Sequence, residues 1–263
     1  MSDLLRVERE GGVARVTLNR PEVRNAFNAE LIATLAWTFE AFAEEPPEGL
    51  GAVVLTGAGE VFCAGADIEW QRASIGLSME ENEADAGRLQ EMLVAIDECP
   101  VPVIAAVQGA ALGGGMALCC VADIAVATAD ATFGFTEVRL GLMPAVISPF
   151  VLPRIGEGAA RAQFLTGERF GGERALRIGL VSELVPDRPS LDARVEALVG
   201  EVLSAGPEAV RNAKAVIGDQ RGLSRSEALT LTVKRAARQR VSAEGQEGLG
   251  AFLDKRLPSW RKE

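Results

Sequence analysis

The amino-acid sequence predicts an α/β fold in which a largely parallel sheet is followed by a helical carboxyl-terminal region. Through the first half, short β-branched runs alternate with amphipathic segments of helical period. From about Val146 onward the pattern is almost purely helical. We place a boundary near Arg188, which divides the chain into a core at 1–188 and a helical region at 189–263. Because that region is small for a free domain, we expect it to pack on the core or on another subunit.

Composition excludes several classes of protein. The chain has 263 residues, of which 48% are hydrophobic, so a sizeable layered core is expected. The formal net charge of −10 argues against nucleic acid as the main partner. The sequence contains no histidine and no tyrosine, which excludes Ser-His-Asp and Cys-His mechanisms and histidine-ligated metal sites. Any proton transfer should therefore use a carboxylate, a lysine or a cysteine.

The expected compartment is the cytoplasm. The amino terminus, MSDLLRVERE, shows no basic segment followed by an apolar one, so no secretory signal is predicted. The cysteines lack CxxC spacing and are expected to be reduced thiols of the core, not reactive ones. They are Cys63, Cys99, Cys119 and Cys120.

A hairpin and a capped helix open the chain. Leu4–Glu10 and Val13–Leu18 are predicted to pair around the turn Gly11-Gly12. After a loop, Asn28 is expected to cap a helix that ends near Pro46-Pro47. The apolar positions of that helix have helical spacing and should cover the sheet; they are Leu31, Ile32, Leu35, Phe39 and Phe42.

A buried strand at Gly51–Thr56 is followed by two turns of small residues, Gly57–Gly59 and Val61–Asp67. The polar segment Glu69–Asp85 is expected to be mobile and could act as a lid. The next helix is predicted to face the core with Leu89, Met92, Leu93 and Ile96.

The sequence is organised around an uncharged stretch, Cys99–Ala122. It contains a predicted buried strand, Val103–Val107, and then the triplet Gly113–Gly115 at the start of a helix of small apolar residues. The first N–H groups of a helix lack intrahelical partners, and glycine permits a ligand oxygen to approach them. A carbonyl oxygen that gains negative charge would fit there.

The same stretch has other interpretations. Two prolines, three mid-run glycines and acidic flanks oppose a membrane span. A dinucleotide-binding fingerprint is absent, since the Gly57-Ala58-Gly59 turn has Phe62 where the third glycine should lie. Close backbone packing without a binding role is the alternative that the sequence leaves open.

The rest of the chain is predicted as two further strands and a series of helices. The strands are Asp123–Thr128 and Ala131–Phe135. Leu180–Val185 is the one segment expected to interrupt the helices that follow. These are Val146–Ile155, Gly158–Leu165, Glu173–Ile178, Leu191–Leu203, Pro207–Ile217, Ser224–Val241 and Glu244–Leu257.

Four motifs in this order resemble the enoyl-CoA hydratase/isomerase, or crotonase, superfamily. They are Asn19-Arg20-Pro21 to Asn25-Ala26, Phe62 to Asp67, Gly109 to Gly115, and Phe133-Gly134 to Glu137. The resemblance runs almost end to end. It implies a spiral of β-β-α units and a helical trimerisation region, with trimers often paired into hexamers. It also implies acyl-CoA thioesters as substrates, with coenzyme A as part of the substrate and no separate cofactor or metal.

By this resemblance, the backbone N–H groups of Ala66 and Gly114 would hold the thioester carbonyl, on the two turns already predicted to permit close approach. Arg24, the backbone of Ala64, and Asp67 and Ile68 beside Ala66 would bind coenzyme A. Lys255 of a neighbouring subunit would reach the nucleotide. Alternatively, Arg24 and Lys255 are solvated surface charges and Asp67 only holds its turn.

The acid/base position departs from the family pattern. Hydratases of the family commonly use two glutamates; Glu137 matches the second, whereas Ala117 occupies the first position. Hydration of an enoyl-CoA, branched or carboxylated acyl groups included, is the leading hypothesis. Isomerisation by a single glutamate, assisted loss of a carboxylate and a non-catalytic acyl-CoA- or RNA-binding relative are the alternatives. The segment Gly141–Phe150 resembles a bacterial methylglutaconyl-CoA hydratase-like branch.

Overall fold

The computed structural model describes residues 3–46 and 49–261. The strands are β1 Leu5–Glu10, β2 Val13–Leu18, β3 Ala52–Gly57, β4 Val103–Val107, β5 Ala110–Leu112, β6 Ile124–Thr128, β7 Thr132–Gly134, β8 Phe170–Gly171 and β9 Glu183–Val185. The helices are α1 Ala29–Ala43, α2 Ile68–Ser74, α3 Met79–Asp97, α4 Gly114–Val121, α5 Ser148–Thr166, α6 Gly172–Arg177, α7 Arg188–Ser204, α8 Pro207–Asp219, α9 Arg225–Val241 and α10 Ala243–Leu253. The mixed α/β class and the helical carboxyl-terminal region agree with the sequence-based prediction.

The larger sheet in the described ranges has the strand order β1-β2-β3-β4-β6-β9. β1 and β2 are antiparallel, whereas every later pairing in this sheet is parallel. The predicted hairpin is therefore confirmed, and Gly11 and Gly12 take positive φ values of 58° and 81°, as the two-residue turn requires. The predicted parallel character of the sheet is confirmed as well.

Helices cover both faces of this sheet. On one face, α1, α3 and α4 enclose the main apolar core, to which the central stretch contributes Met116, Ala117 and Leu118. On the other face, α7 packs Leu191, Val195 and Val199 against strand residues such as Val54 and Ile104. The first helix after the predicted boundary thus lies directly on the sheet.

Asn28 caps α1 as predicted, since its side-chain oxygen accepts a hydrogen bond from the Leu31 N–H at 2.9 Å. α1 ends at Ala43, slightly before the predicted end at Pro46-Pro47, and Pro47 lies outside the described residues. Within α5, Gly156 has a non-helical conformation (φ 74°, ψ 158°), which separates the two helices predicted on either side of it.

The helix predicted after segment 69–85 begins earlier than expected, at Met79. The segment itself forms α2 and the first turns of α3. A capping box fixes the start of α3: the Glu81 N–H donates to Ser78 Oγ at 3.2 Å, and the Ser78 N–H donates to Glu81 Oε2 at 2.7 Å. The mobility predicted for this segment from its polar character stays a prediction.

A small second sheet was not fully predicted. β5 and β7 are parallel, and β8 pairs antiparallel with β7. Only β7 was expected from the sequence; β5 and β8 are too short to show a period. This sheet matters for function because β5 leads directly into the Gly113–Gly115 turn. Among the described residues, no helix has both the length and the apolar character needed to cross a bilayer.

Candidate active site

Backbone pairing brings two glycine-containing turns together. An isolated parallel bridge joins Cys63 to Ala111. In it, the Cys63 N–H donates to the Ala110 carbonyl at 3.1 Å, and the Leu112 N–H donates to the Cys63 carbonyl at 3.0 Å. Ala66 and Gly114 each follow their bridge partner by the same number of residues. The pairing therefore places the two predicted carbonyl-binding positions next to each other.

Glycine is required for this close approach. Gly65 has a φ of 92°, and a Cβ atom there would lie 2.7 Å from the Leu112 carbonyl oxygen. A Cβ atom on Gly115 would lie 2.4 Å from the Cys63 carbonyl oxygen, closer than real Cβ contacts permit. The close backbone packing that the sequence left open as an alternative is present, and it also shapes the site.

The N–H groups of Ala66 and Gly114 have no hydrogen-bond acceptor within the described residues. Gly114 begins α4, so its N–H is one of the unsatisfied donors at the positive end of the helix dipole. Both residues line the same cavity. Two unsatisfied backbone donors on the wall of one cavity suit a carbonyl oxygen that becomes negatively charged during reaction.

That cavity has a volume of about 750 Å³ and is also lined by Glu137. The three residues predicted as catalytic are therefore brought together by elements far apart in sequence. α2, α3 and the loop that precedes α5 supply the rest of the wall.

Glu137 opens a short 3₁₀ helix, Glu137–Leu140, and faces the glycine turn. A Cβ atom on Gly113 would lie 3.2 Å from Glu137 Oε1. Its other oxygen, Oε2, is buried and has no hydrogen-bond partner among the described residues. Burial raises the pKa of the Glu137 carboxyl above its ordinary value of 4.5, and its own backbone N–H opposes this in part. A raised pKa brings the carboxyl group closer to what a general acid and base requires.

Ala117 lies on the same face of α4 as Gly114 and is fully buried. The position thus supplies no second acid. Besides Glu137, the carboxylate among the described lining residues belongs to Asp85, on α3. Of the two acids among the described lining residues, Glu137 is the one that lies against the Gly113–Gly115 turn.

The buried state of Glu137 predicts a pH dependence of stability. Because its pKa is higher in the folded protein, the folded state holds this proton more tightly than the unfolded chain. The carboxyl group therefore reduces the free energy of unfolding progressively as the pH rises from about 4.5 to the raised value.

Glu137→Gln removes this ionisation. Relative to the unmodified protein, the variant is expected to become more stable as the pH rises through that window, and then to keep a constant advantage. Urea unfolding at a series of pH values measures the difference. Parallel stability curves for the two proteins would contradict the burial of an ionisable group at this position.

None of the residues predicted to bind coenzyme A is among the described residues that line this cavity. Apart from Lys255, they lie on or next to the turn that carries Ala66. The Ala64 N–H donates to the Arg24 carbonyl at 2.9 Å, which holds the exposed Arg24 beside the 63–68 segment. Ile68 is 78% exposed at the start of α2. Lys255, also exposed, lies beyond α10 and is not among the cavity-lining residues.

Asp67 has a structural task in this chain. Its Oδ1 accepts from the Glu69 N–H at 2.9 Å as the cap of α2, and its Oδ2 forms an ion pair with Arg20 at 2.8 Å. Burial raises the pKa of the Asp67 carboxyl, but these hydrogen bonds outweigh it and lower the pKa overall. Both carboxylate oxygens are thus engaged, and the backbone at this position is what the turn presents to a ligand.

The cysteines are buried and unpaired, as predicted for core thiols. Burial raises the pKa of Cys63 to about 12, so a thiolate nucleophile is unavailable there. Asp123 has a structural role: it accepts a hydrogen bond from the Val103 N–H at 2.7 Å and pairs with Lys214 at 2.6 Å.

Sequence reasoning missed most of the cavity wall. α2 contributes Trp70, Gln71 and Ser74, and α3 contributes a second set to the same wall. A signal for α3 was present: its lining residues recur with helical spacing. They are Met79, Asn82, Asp85, Ala86 and Leu89.

Comparisons with known proteins agree with this site. Residues 8–263 match the family model described as enoyl-CoA hydratase/isomerase. A crotonyl-CoA hydratase of Syntrophomonas wolfei is 32% identical over 95% of this chain and 95% of its own length. The crystal structure of an enoyl-CoA hydratase from Shewanella pealeana has 38% identity and a TM-score of 0.92, covering 98% of this chain and 96% of that one.

The structure of AtuE from Pseudomonas aeruginosa has 36% identity and a TM-score of 0.94, covering 98% of this chain and 100% of that one. These matches confirm the superfamily inferred from the motifs and its fold, whereas the branch assignment stays a prediction. The chain belongs to the enoyl-CoA hydratase/isomerase family and is an enzyme of that family.

Proposed function

We propose that this enzyme hydrates the double bond of an enoyl-CoA, with Glu137 as a single acid and base. The observation that carries the proposal is the buried, unpartnered Glu137 Oε2 in the cavity that also receives the free N–H groups of Ala66 and Gly114. Relatives named as hydratases support the same reaction. The reaction adds one water and needs no other reactant.

In the proposed reaction, the carboxylate of Glu137 takes a proton from water while the water oxygen bonds to C3 of the acyl group. The electron pair of the double bond moves to the thioester oxygen as an enolate, which the Ala66 and Gly114 N–H groups stabilise. Glu137 then returns the proton to C2. Atoms balance, because one water contributes both the hydroxyl group and the proton.

Isomerisation is the second candidate, and the buried Ala117 favours it. With no second acid at that position, Glu137 could instead take a proton from C2 of a 3-enoyl-CoA and return it to C4, which moves the double bond to C2. The two reactions differ in mass: hydration adds one water to the product, whereas isomerisation leaves the mass unchanged.

A panel of 2-enoyl and 3-enoyl thioesters with mass-spectrometric detection therefore tests the proposal. The expected result is a hydrated product from 2-enoyl-CoA. An isomer alone would establish the second candidate. Binding of thioesters without any turnover would show a non-catalytic acyl-CoA-binding relative.

We also propose that Arg24 and Lys255 bind the phosphates of coenzyme A, the strongest charges in the complex with an otherwise acidic protein. Alanine at both positions is expected to raise KM by at least roughly tenfold with less change in kcat, as loss of uniform binding predicts. Steady-state kinetics at several salt concentrations measures this. Arg6→Ala, at an exposed position on β1, is the matched control. Unchanged KM and salt dependence in the double variant would contradict the assignment.

We further propose a homotrimer or a dimer of trimers. In the single chain, α9 exposes Leu229, Val233 and Val241, and α10 exposes Phe252 and Leu253. Exposed large apolar residues clustered on adjacent helices are typical of subunit contacts. Light scattering at micromolar concentration is expected to give three or six times the monomer mass. A monomer would refute this proposal.

A further inference from the structure

We infer that the acyl tail of the substrate carries no charge, and that Asp85 on α3 disfavours acyl groups with a second carboxylate. This inference rests on the proposed function, because it concerns the tail-binding wall of the same cavity. It decides between the apolar and the carboxylated acyl groups that the sequence left open.

The charged side chains on the cavity wall are acidic. Among the described residues that line the cavity, none is lysine or arginine, and the charged ones are the acids Glu137 and Asp85. A second carboxylate in the substrate would need a cation or several hydrogen-bond donors when it leaves water. The described lining residues supply no cation, and the negative charge of Asp85 lies on the wall instead.

Some of the polar side chains of α2 and α3 that line the cavity use their hydrogen-bond donors within the protein. The Asn82 amide nitrogen faces three carbonyl oxygens, those of Ser78 at 3.0 Å, Leu77 at 3.2 Å and Ser74 at 3.5 Å. This fixes the amide orientation and leaves the Asn82 oxygen as an acceptor. The Ser74 hydroxyl donates to the Gln71 carbonyl at 2.7 Å. Donors on this wall are thus partly used by the protein itself; the exceptions among the described lining residues of α2 are the Gln71 amide and the Trp70 indole N–H.

Asp85 forms an ion pair with Arg88, in which the two side chains differ in exposure. The two side chains meet at 2.6 Å, but that of Asp85 is 14% exposed whereas that of Arg88 is 50% exposed. Arg88 therefore lies toward solvent and is not among the lining residues. A substrate carboxylate could use Arg88 only by sharing its guanidinium with Asp85 or by displacing Asp85 from it.

The remaining wall suits hydrocarbon. Trp70 and Leu89 face the cavity from α2 and α3, and Leu142, Met143 and Ile147 face it from the opposite loop. Methionine adapts its shape to different apolar chains at little cost. Apolar lining with few polar groups is what an uncharged acyl tail requires.

The test compares two six-carbon substrates that differ only at the far end of the tail. One is 2-hexenoyl-CoA, and the other is its counterpart with a terminal carboxylate, 2,3-didehydroadipyl-CoA. The expected kcat/KM ratio favours hexenoyl-CoA by roughly a hundredfold, since juxtaposed like charges in a binding site typically cost several kcal/mol. Calorimetric binding of the saturated analogues, hexanoyl-CoA and adipyl-CoA, gives the same comparison without turnover.

Asp85→Asn keeps the shape of the side chain, removes the charge and releases Arg88. The kcat/KM ratio of the two substrates is expected to fall by roughly tenfold, and so is the ratio of the binding constants of the two saturated analogues. Asp192→Asn is the matched control, because Asp192 forms a comparable ion pair with Arg188 at 2.9 Å on α7, outside the cavity. The control is expected to leave the preference unchanged.

The possible results distinguish a failure of this inference from a failure of the proposed function. Equal or better use of the carboxylated substrate by the unmodified enzyme overturns this inference and leaves the proposed function standing. A preference that Asp85→Asn does not change removes Asp85 as its cause. Failure to bind or convert either thioester overturns the proposed function, and this inference with it.

Discussion

Replacing Glu137 with glutamine is expected to lower kcat by at least about a hundredfold with little change in KM, the range of typical general acid and base contributions. Glutamine preserves the size and the polar contacts of the side chain but cannot accept and return a proton. The substrate should still bind, because the backbone donors of Ala66 and Gly114 and the cavity wall are unaffected. Steady-state kinetics with a 2-enoyl-CoA measures both constants.

Glu173→Gln is the matched control, since this exposed glutamate lies on α6 outside the cavity. It should behave as the unmodified enzyme. Full activity in Glu137→Gln would show that another group moves the proton. A raised KM with unchanged kcat would instead assign Glu137 to binding.

Gly115→Ala is expected to lower kcat/KM by roughly a hundredfold, in the range found when one donor to a developing oxyanion is lost. The new Cβ atom would lie 2.4 Å from the Cys63 carbonyl oxygen, so the Cys63–Ala66 turn and the start of α4 must move apart. The Ala66 and Gly114 N–H groups would then no longer converge on one oxygen. Overpacking of this kind also lowers the free energy of unfolding, by about 1–3 kcal/mol.

Gly200→Ala is the control for the same chemical change. Gly200 is exposed within α7, and a Cβ atom there would meet nothing within 4 Å. Alanine in a helix interior is favoured over glycine by roughly 0.5–1 kcal/mol, so this variant should be slightly more stable and fully active. If Gly115→Ala unfolds at lower denaturant concentration yet retains full activity while folded, the turn pair is not the carbonyl-binding site.

The order of strands and helices along the chain could be predicted from sequence because each rests on short-range pattern. Val103–Val107 was recognised by its β-branched run and α1 by the cap at Asn28, and both lie as predicted. The glycine triplet was recognised as a helix start because glycine is needed where a backbone conformation excludes other residues, as at Gly113 with φ 49°. Pairing of very short strands, such as β5 and β8, leaves no such pattern.

The candidate catalytic residues came from matching motifs, and their spatial relation came from the fold. No local signal in the sequence states that Glu137 lies against Gly113, or that one of its oxygens is buried without a partner. These facts depend on the bridge between Cys63 and Ala111 and on the 3₁₀ turn after β7. The order of the motifs identified the candidate catalytic residues but not the distances between them.

By itself, the sequence determined the fold class, the superfamily and the absence of histidine chemistry, because composition, periodicity and motif order are properties of the chain. Only the tertiary structure decided that Asp67 is engaged by Arg20 and that α2 and α3 form a wall without a cation. Cavity walls are neither core nor open surface, so their residues follow no single hydrophobic period. Their chemistry is defined by which distant elements face one another, and that is set by packing.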